Sequence, residues 1–234
     1  NKTGKYFKYA IGEIVLVVIG ILIALQINNW KEVRKNFAKK EQLLKSMKIE
    51  FASNLSQLDT VLHYDSIVLK NTKRLMQLDS DNPIEMASDS MPNWLQNSSY
   101  RWTFNPINGA LRSGISSGEI HLIKNDSLVN LLFGWEDFVT DAKEGEVRTI
   151  DALVASRAVF EKHLRSLDYR NKWVPELGNS RFLSNYQSLF RDPLLEDYFV
   201  ERYISIDETL NELNLVKKQN GTILKLIDIE LITD

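Results

Sequence analysis

The sequence predicts an all-α protein with one N-terminal transmembrane helix, which continues into a long stalk helix, and an elongated antiparallel helical bundle. Three observations support this fold class. Residues 9–27 form a nearly uninterrupted apolar run. Residues 30–78 contain neither proline nor glycine and carry apolar residues at helical spacing. Residues 193–231 carry a second apolar stripe of comparable length, as a partner helix would.

The apolar run of residues 9–27 has the length of a membrane span. At about 1.5 Å per residue it covers roughly 28 Å, close to the hydrocarbon thickness of a bilayer. Glu13 and Gln26 are its only strongly polar residues. A buried soluble helix and a cleaved signal peptide are alternatives, but the run is long for a signal peptide and lacks a small-x-small cleavage site near Gln26. We therefore expect an uncleaved anchor in a lipid bilayer, held at its interfaces by Tyr6, Tyr9, Trp30, Lys5 and Lys8.

Glu13 is the one acidic residue within the span. It lies about 6 Å inside the Tyr9 boundary. Small and polar residues at helical spacing predict a helix–helix interface, because small residues let two backbones approach and polar groups can hydrogen-bond between helices. Alternatively, Glu13 reaches the headgroups and pairs with Lys5 or Lys8, and a weaker possibility is an ion- or proton-coupled role. The predicted interface consists of Gly12, Glu13, Gly20, Ala24 and Asn28.

Charge is distributed unevenly along the chain. The net charge is −2, but residues 30–48 carry +5 and residues 49–234 carry −9. A basic collar beside the span would attract anionic headgroups by about 1 kcal/mol per basic residue. An acidic body argues against a nucleic-acid partner. The absence of cysteine excludes disulfides, thiolate catalysis and cysteine-based zinc sites, and it does not decide the compartment.

A family resemblance rests on residues 4–30, GKYFKYAIGEIVLVVIGILIALQINNW, and more loosely on residues 111–132, LRSGISSGEIHLIKNDSLVNLL. The chain resembles an uncharacterised family of small membrane proteins from Bacteroidota, departing at Lys31, where asparagine is common. The resemblance implies a basic segment upstream, one span and a helical domain beyond it, and no catalytic residue. Five basic residues follow the span and three precede it, so the positive-inside rule alone would place the body in the cytoplasm. The implied upstream segment instead favours the bacterial inner membrane with a periplasmic body.

The region after the span predicts a stalk over residues 30–78 and a body over residues 79–234, with the anchor at residues 1–29. Trp30, Val33 and Phe37 begin a heptad-like pattern that is interrupted at Lys40 and shifted by four residues after Phe51. This pattern fits both a self-associating coiled coil and an ordinary bundle helix.

The body is predicted to contain loops at residues 79–93 and 168–180. Asn125 is expected to cap a helical region that breaks near Gly145. Asp192-Pro193 should start the last helix, which Gly221 need not end. Packed antiparallel to the stalk, this helix would return the C-terminus toward the membrane.

The sequence offers little catalytic chemistry. His63, His121 and His163 lack metal-ligand spacing, and no phosphate-binding loop or nucleophile elbow occurs, so we expect no cofactor, no metal and no enzyme. The carboxylates within residues 136–146 and 196–201 are interpreted as solvated helix faces, with Lys143 and Arg202 among them. Three aromatic residues could line a binding surface, although packing against the bundle is favoured: Trp94, Tyr100 and Trp102.

The favoured functional hypothesis is a non-enzymatic, membrane-anchored helical protein that acts in assembly, either as a homo-oligomer or as a subunit of an envelope complex. The alternative is an extracytoplasmic sensor or ligand-binding module that signals by association, because residues 223–234 are too charged to form a second span.

Overall fold

One long helix is the central element of the fold. The computed structural model describes residues 2–79, 81–82, 90–170 and 175–233, with side chains from Gly12 onward. Helix α1 runs unbroken through Lys2–Met76. The described residues contain helices and no strand, so the predicted all-α fold class is confirmed. The further helices are α2 Met91–Ser98, α3 Gly109–Ser116, α4 Asp126–Phe133, α5 Trp135–Ala155, α6 Arg157–His163, α7 Ser166–Tyr169, α8 Tyr186–Phe190 and α9 Pro193–Ile232, with 3-10 turns at Glu119–Leu122 and Pro175–Leu177.

Helix α9 packs antiparallel to α1, as predicted. Asp192 caps it, since Oδ1 accepts a hydrogen bond from the Leu194 amide at 3.1 Å, and the helix continues through Gly221. Three ion pairs fix the direction along α1: Lys217–Asp59 at 2.6 Å, Lys48–Asp228 at 2.6 Å and Lys40–Glu230 at 3.5 Å. The end of α9 therefore lies beside residue 40, on the side of the body from which the apolar run extends.

The body has two apolar cores in succession along α1. The core nearer the apolar run surrounds Phe51, whose ring meets Trp135 edge to face at a centroid distance of 5.0 Å. The distal core surrounds Phe160 and Phe199 and includes Leu75 near the end of α1. Burial of each large apolar side chain stabilises the folded state by about 1.5–3 kcal/mol. The side chains of the two cores therefore hold α1 and α9 together.

The structure differs from the sequence interpretation in the middle of the body. No break occurs at Gly145, because α5 passes through it, and the interruptions fall at Gly134 and Ser156 instead. A Cβ at Gly145 would lie 2.2 Å from Glu212 Oε2, so this glycine permits close packing against α9. Asn125 caps α4 as predicted. Helix α2 begins within the predicted loop at residues 79–93, and the remainder of both predicted loops includes 80, 83–89 and 171–174, which lie outside the described residues.

Candidate functional sites: an exposed apolar helix and a buried charge cluster

The N-terminal part of α1 is apolar and entirely exposed. Every residue from Gly12 to Asn29 is exposed. The most apolar window has a mean hydropathy of 1.9, and none of it is buried within the protein. Leaving such a surface in water costs about 25 cal/mol per Å². The helix is long and apolar enough to cross a membrane.

The predicted interface residues lie on this exposed helix. At about 100° per residue, Glu13, Gly20 and Ala24 fall within about 40° of arc, Asn28 lies about 60° from Glu13, and Gly12 lies about 100° to one side. A Cβ built at Gly12 or Gly20 would meet no described atom within 4 Å. Neither glycine is therefore needed for close packing against another described part of the chain. The space beside both is open to another helix.

The exposed helix extends past the predicted anchor residues before the bundle begins. Trp30 is 61% exposed, and the Arg34 guanidinium lies 5.6 Å from its ring centroid. Val33 and Phe37 are also exposed, and Lys40 is the first buried residue of α1 from Gly12 onward. About 15 Å of helix thus separates Trp30 from the packed body. The other predicted anchors, Tyr6, Tyr9, Lys5 and Lys8, have side chains outside the described residues.

The three candidate aromatic residues contact other parts of the body. Trp94 lies against the distal core, with the Arg74 guanidinium 3.9 Å from its ring centroid. Trp102 stacks on Tyr64 at 4.1 Å with an interplanar angle of 7°. The Tyr100 carbonyl accepts a hydrogen bond from Arg202. Each of the three therefore has an intramolecular partner.

A buried arginine lies between the two apolar cores. Arg202 on α9 is completely buried. Its guanidinium donates to the Thr149 carbonyl at 2.6 Å, to the Ser98 carbonyl at 3.3 Å and to the Tyr100 carbonyl. Because a buried charge without partners is costly, these carbonyls from α5, α2 and the segment after α2 hold the cation in place.

Two carboxylates accompany this arginine. Asp65 on α1 and Glu146 on α5 are both buried. Burial raises the pKa of Asp65 to about 7; Arg202 opposes the shift and Glu146 adds to it. Burial also raises the pKa of Glu146 to about 7, although its Oε1 accepts a hydrogen bond from the Phe104 amide at 2.6 Å. Asp65, Glu146 and Arg202 form the buried charge cluster of the body, in which burial favours the neutral form of the two carboxylates.

The interpretation of Glu146 and Arg202 as solvated residues was wrong. Arg202 lies four residues from Tyr198 and from Ile206, both buried, and Asp65 lies three residues from Leu62 and from Val68. All of these positions continue the buried helical stripes. The sequence signal for burial was therefore the position of these charged residues within an apolar helical stripe.

The structure also brings a serine, a histidine and an aspartate together, which the sequence spacing did not indicate. Ser188 Oγ lies 2.9 Å from His163 Nδ1, and His163 Nε2 lies 2.8 Å from Asp192 Oδ2. Lys162 donates to the same Asp192 oxygen at 2.8 Å. The hydrogen bonds from Lys162 and His163 hold the pKa of Asp192 well below its usual range.

One group that a hydrolase would need at this serine is already engaged. Acyl transfer needs donors aimed at the developing oxyanion. The Ser188 amide, a natural candidate, donates instead to Asn185 Oδ1 at 2.8 Å. Asp192 is also the cap of α9. We interpret the network as a clamp that joins α6, α8 and α9, beside an open cavity of about 380 Å³.

Comparison with known proteins gives one match. A family model described as "Family of unknown function (DUF6090)" matches residues 13–135, more than half of the chain. The matched part comprises most of the apolar run, the rest of α1 and the elements up to the start of α5. No curated protein and no solved structure matches the chain.

Proposed function

The chain belongs to DUF6090, a family of unknown function, and on that premise we propose that it is a non-enzymatic, single-pass membrane protein that acts in assembly. Its helical body would work either within a homo-oligomer or as a subunit of an envelope complex. The favoured location is the bacterial inner membrane, with the body in the periplasm. The resemblance of residues 4–30 to the Bacteroidota signature supports this location and orientation.

The observation that carries the proposal is the continuity of α1. One uninterrupted helix provides the exposed apolar run at one end and the central helix of the packed body at the other. No glycine, proline or irregular turn separates Ile21 from Met76. Since an unbroken helix is stiff over this length, a body anchored in this way is held at a defined height above the bilayer.

The glycines of the apolar run support self-association. Gly114 and Gly145 in the body are each explained by close contact with α1 or α9, since an added Cβ would lie 2.8 Å from Leu43 Cδ1 or 2.2 Å from Glu212 Oε2. Gly20 has no such neighbour. It lies four residues before Ala24, the spacing that lets two membrane helices approach closely.

A pair of substitutions tests self-association through the span. Gly20→Leu with Ala24→Leu fills the proposed interface, so we expect it to dissociate detergent-solubilised oligomers measured by size-exclusion chromatography with light scattering. Val15→Leu with Leu22→Ile, on the opposite face, is the matched control and should leave the mass unchanged. An unchanged mass in both variants would remove this interface and leave a hetero-complex as the remaining form of the proposal.

An extracytoplasmic binding module that signals by association is the second candidate. A groove of about 680 Å³ in the body, between α5, α6 and α9, favours it.

A further inference from the structure

The groove between α5, α6 and α9 has an apolar floor of small residues. Ala152, Ala155 and Ala158 recur every three residues across the end of α5 and the start of α6. Leu194 and Ile204 on α9 form the opposite wall and are 59% and 47% exposed. Small side chains bring a guest backbone close to the wall, and the exposed apolar side chains gain about 25 cal/mol per Å² when covered.

The rim of the groove is acidic. Asp151, Asp197, Glu201 and Glu208 line it, with Arg148 as the lining residue of opposite charge. Arg148 Nη2 is already engaged by Glu208 at 3.7 Å and by Glu212 at 3.4 Å. Within the described part of the chain, Asp151, Asp197 and Glu201 form no ion pair. The negative potential along the groove is therefore largely uncompensated.

The groove also holds a buried polar group. Tyr198 lines it and is only 7% exposed. Its hydroxyl lies beside Ser156 but makes no hydrogen bond of good geometry with any described residue. Ser156 Oγ donates instead to the Leu153 carbonyl at 2.7 Å. Because this hydroxyl is itself covered by the protein, recognition in the groove falls to the apolar floor and the acidic rim.

The dimensions of the groove match a helix. From Leu194 to Glu208 the α9 wall measures about 21 Å, which is roughly four helical turns. Asp197, Glu201 and Glu208 lie on one face of that wall, spaced by four and seven residues. We propose that this groove binds a cationic amphipathic helix of a partner protein, with its apolar face on the alanine floor and its basic residues against the carboxylates. This inference rests on the proposed function in assembly, whose partner chemistry it specifies.

Charge and position disfavour the other occupants. Four carboxylates repel phosphate-bearing lipids and nucleic acids. The basic segment of a second copy, residues 30–48, adjoins its own apolar run. The groove lies near the level of Asp65, about 38 Å along α1 beyond Lys40. A second copy in the same membrane therefore cannot bring that segment to the groove.

Site-specific photocrosslinking on the full chain tests the proposal. The chain is reconstituted in phosphatidylcholine nanodiscs with p-benzoylphenylalanine at Ala155, in the groove, or at Leu215, which is 61% exposed on α9 outside it. The probe is a fluorescent model helix of about 18 residues with lysine on one face and leucine on the other. Its glutamate–leucine analogue is the charge control.

The proposal predicts crosslinking of the lysine peptide at residue 155, at least about fivefold above residue 215 and above the glutamate analogue. Asp197→Lys with Glu201→Lys should reduce it at least about tenfold, and raising the salt should weaken it. Asp137→Lys with Glu144→Lys, which places the same charges on α5 outside the groove, should change it by less than about twofold. Circular dichroism of each variant confirms that the helical body is folded.

Two results would overturn the proposal. Equal crosslinking of the lysine and glutamate peptides at residue 155 would mean that the groove binds apolar surfaces regardless of charge. Its ligand would then not be selected by positive charge. Equal crosslinking at residues 155 and 215 would mean that the groove is not a site. Neither result bears on the oligomer mass in the Gly20→Leu, Ala24→Leu experiment, so failure of the docking site and failure of membrane-mediated assembly are distinguishable.

Discussion

Residues 12–39 and residues 40–76 belong to one helix, yet the first part exposes its apolar side chains and the second part buries them. The first part exposes nearly all of its side chains, including Leu16 at 72% and Ile23 at 55%. The second part buries a regular stripe, with Leu44, Met47 and Leu58 fully covered. Both parts have the same backbone geometry. They differ in how the apolar side chains are covered: the second part is covered by the rest of the protein, whereas the first would need lipid or another protein to cover it.

Polar groups differ between the two parts in the same way. Glu13 in the exposed part is surrounded by no other described part of the chain, whereas Asp65 in the packed part lies in a cluster with Arg202 and Glu146. In the body, polar groups are fixed by partners from several helices, which makes them sensitive to substitution. The body therefore covers its own apolar surface, while the apolar run depends on its surroundings to cover it.

The largest effect that would sharpen this comparison is expected from removing the central cation. Arg202→Met removes the cation that acts on Asp65 and leaves three buried carbonyls without their hydrogen-bond donor, so we expect the free energy of unfolding of the body to fall by about 3–5 kcal/mol. Urea denaturation followed by circular dichroism measures this change. Arg157→Met, at an exposed position paired with Glu161 at 3.5 Å, is the control and should stay within about 0.5 kcal/mol. A loss below about 1 kcal/mol for Arg202→Met would show that the cluster is not structurally important.

A smaller effect compares glycines in the two regions. Gly145→Leu must displace Glu212 and Thr209, whose side chains would lie 2.2 and 3.1 Å from a Cβ added at this position. We expect this variant to lose about 1–3 kcal/mol of unfolding free energy through overpacking. Gly20→Leu has open space and should leave the unfolding of the body unchanged. Equal effects of the two substitutions in the same urea titration would break the contrast between the regions.

The pH dependence of stability tests the two buried carboxylates of the body directly. The pKa values of Asp65 and Glu146 are raised to about 7 in the folded protein from ordinary values of 3.8 and 4.5. Between these limits the folded state binds more protons than the unfolded state, so stability falls as pH rises from about 4.5 to 7 and then levels off. Urea midpoints measured across this range should decline, and Asp65→Asn with Glu146→Gln should abolish that part of the decline. A double variant with the same slope as the parent would assign the dependence to other groups.

The fold could be predicted from the sequence largely because its determinants are periodic. Leu44, Met47 and Phe51 indicate a buried stripe, and Asp192-Pro193 indicates a helix start; both features are local. The course of α5 was not predictable in the same way. Gly145 is a weak helix former in isolation, and only its close approach to α9 explains why the helix passes through it.

The candidate sites were less predictable than the fold. Their residues come from distant parts of the chain: Asp65, Glu146 and Arg202 are brought together by three helices, and Ser188 reaches His163 across the α6–α8 corner. Arg202 was interpreted as solvated although it lies in register with a buried stripe, and its carbonyl partners depend on the path taken after α2. The acidic groove likewise requires α5, α6 and α9 to be placed side by side, which no single segment specifies.

The proposed function depends most on the apolar part of α1 lying in lipid while the body lies in water on one side. Because the chain has no cysteine, single introduced cysteines report accessibility without background. Ile23 and Leu215 are exposed to similar extents, at 55% and 61%. A difference in labelling rate between Ile23→Cys and Leu215→Cys would therefore reflect coverage by lipid and not by this protein. In intact spheroplasts, a membrane-impermeant maleimide should label residue 215 rapidly and residue 23 only after solubilisation in denaturing detergent. Labelling of residue 23 at the same rate as residue 215 in native membranes would contradict the account.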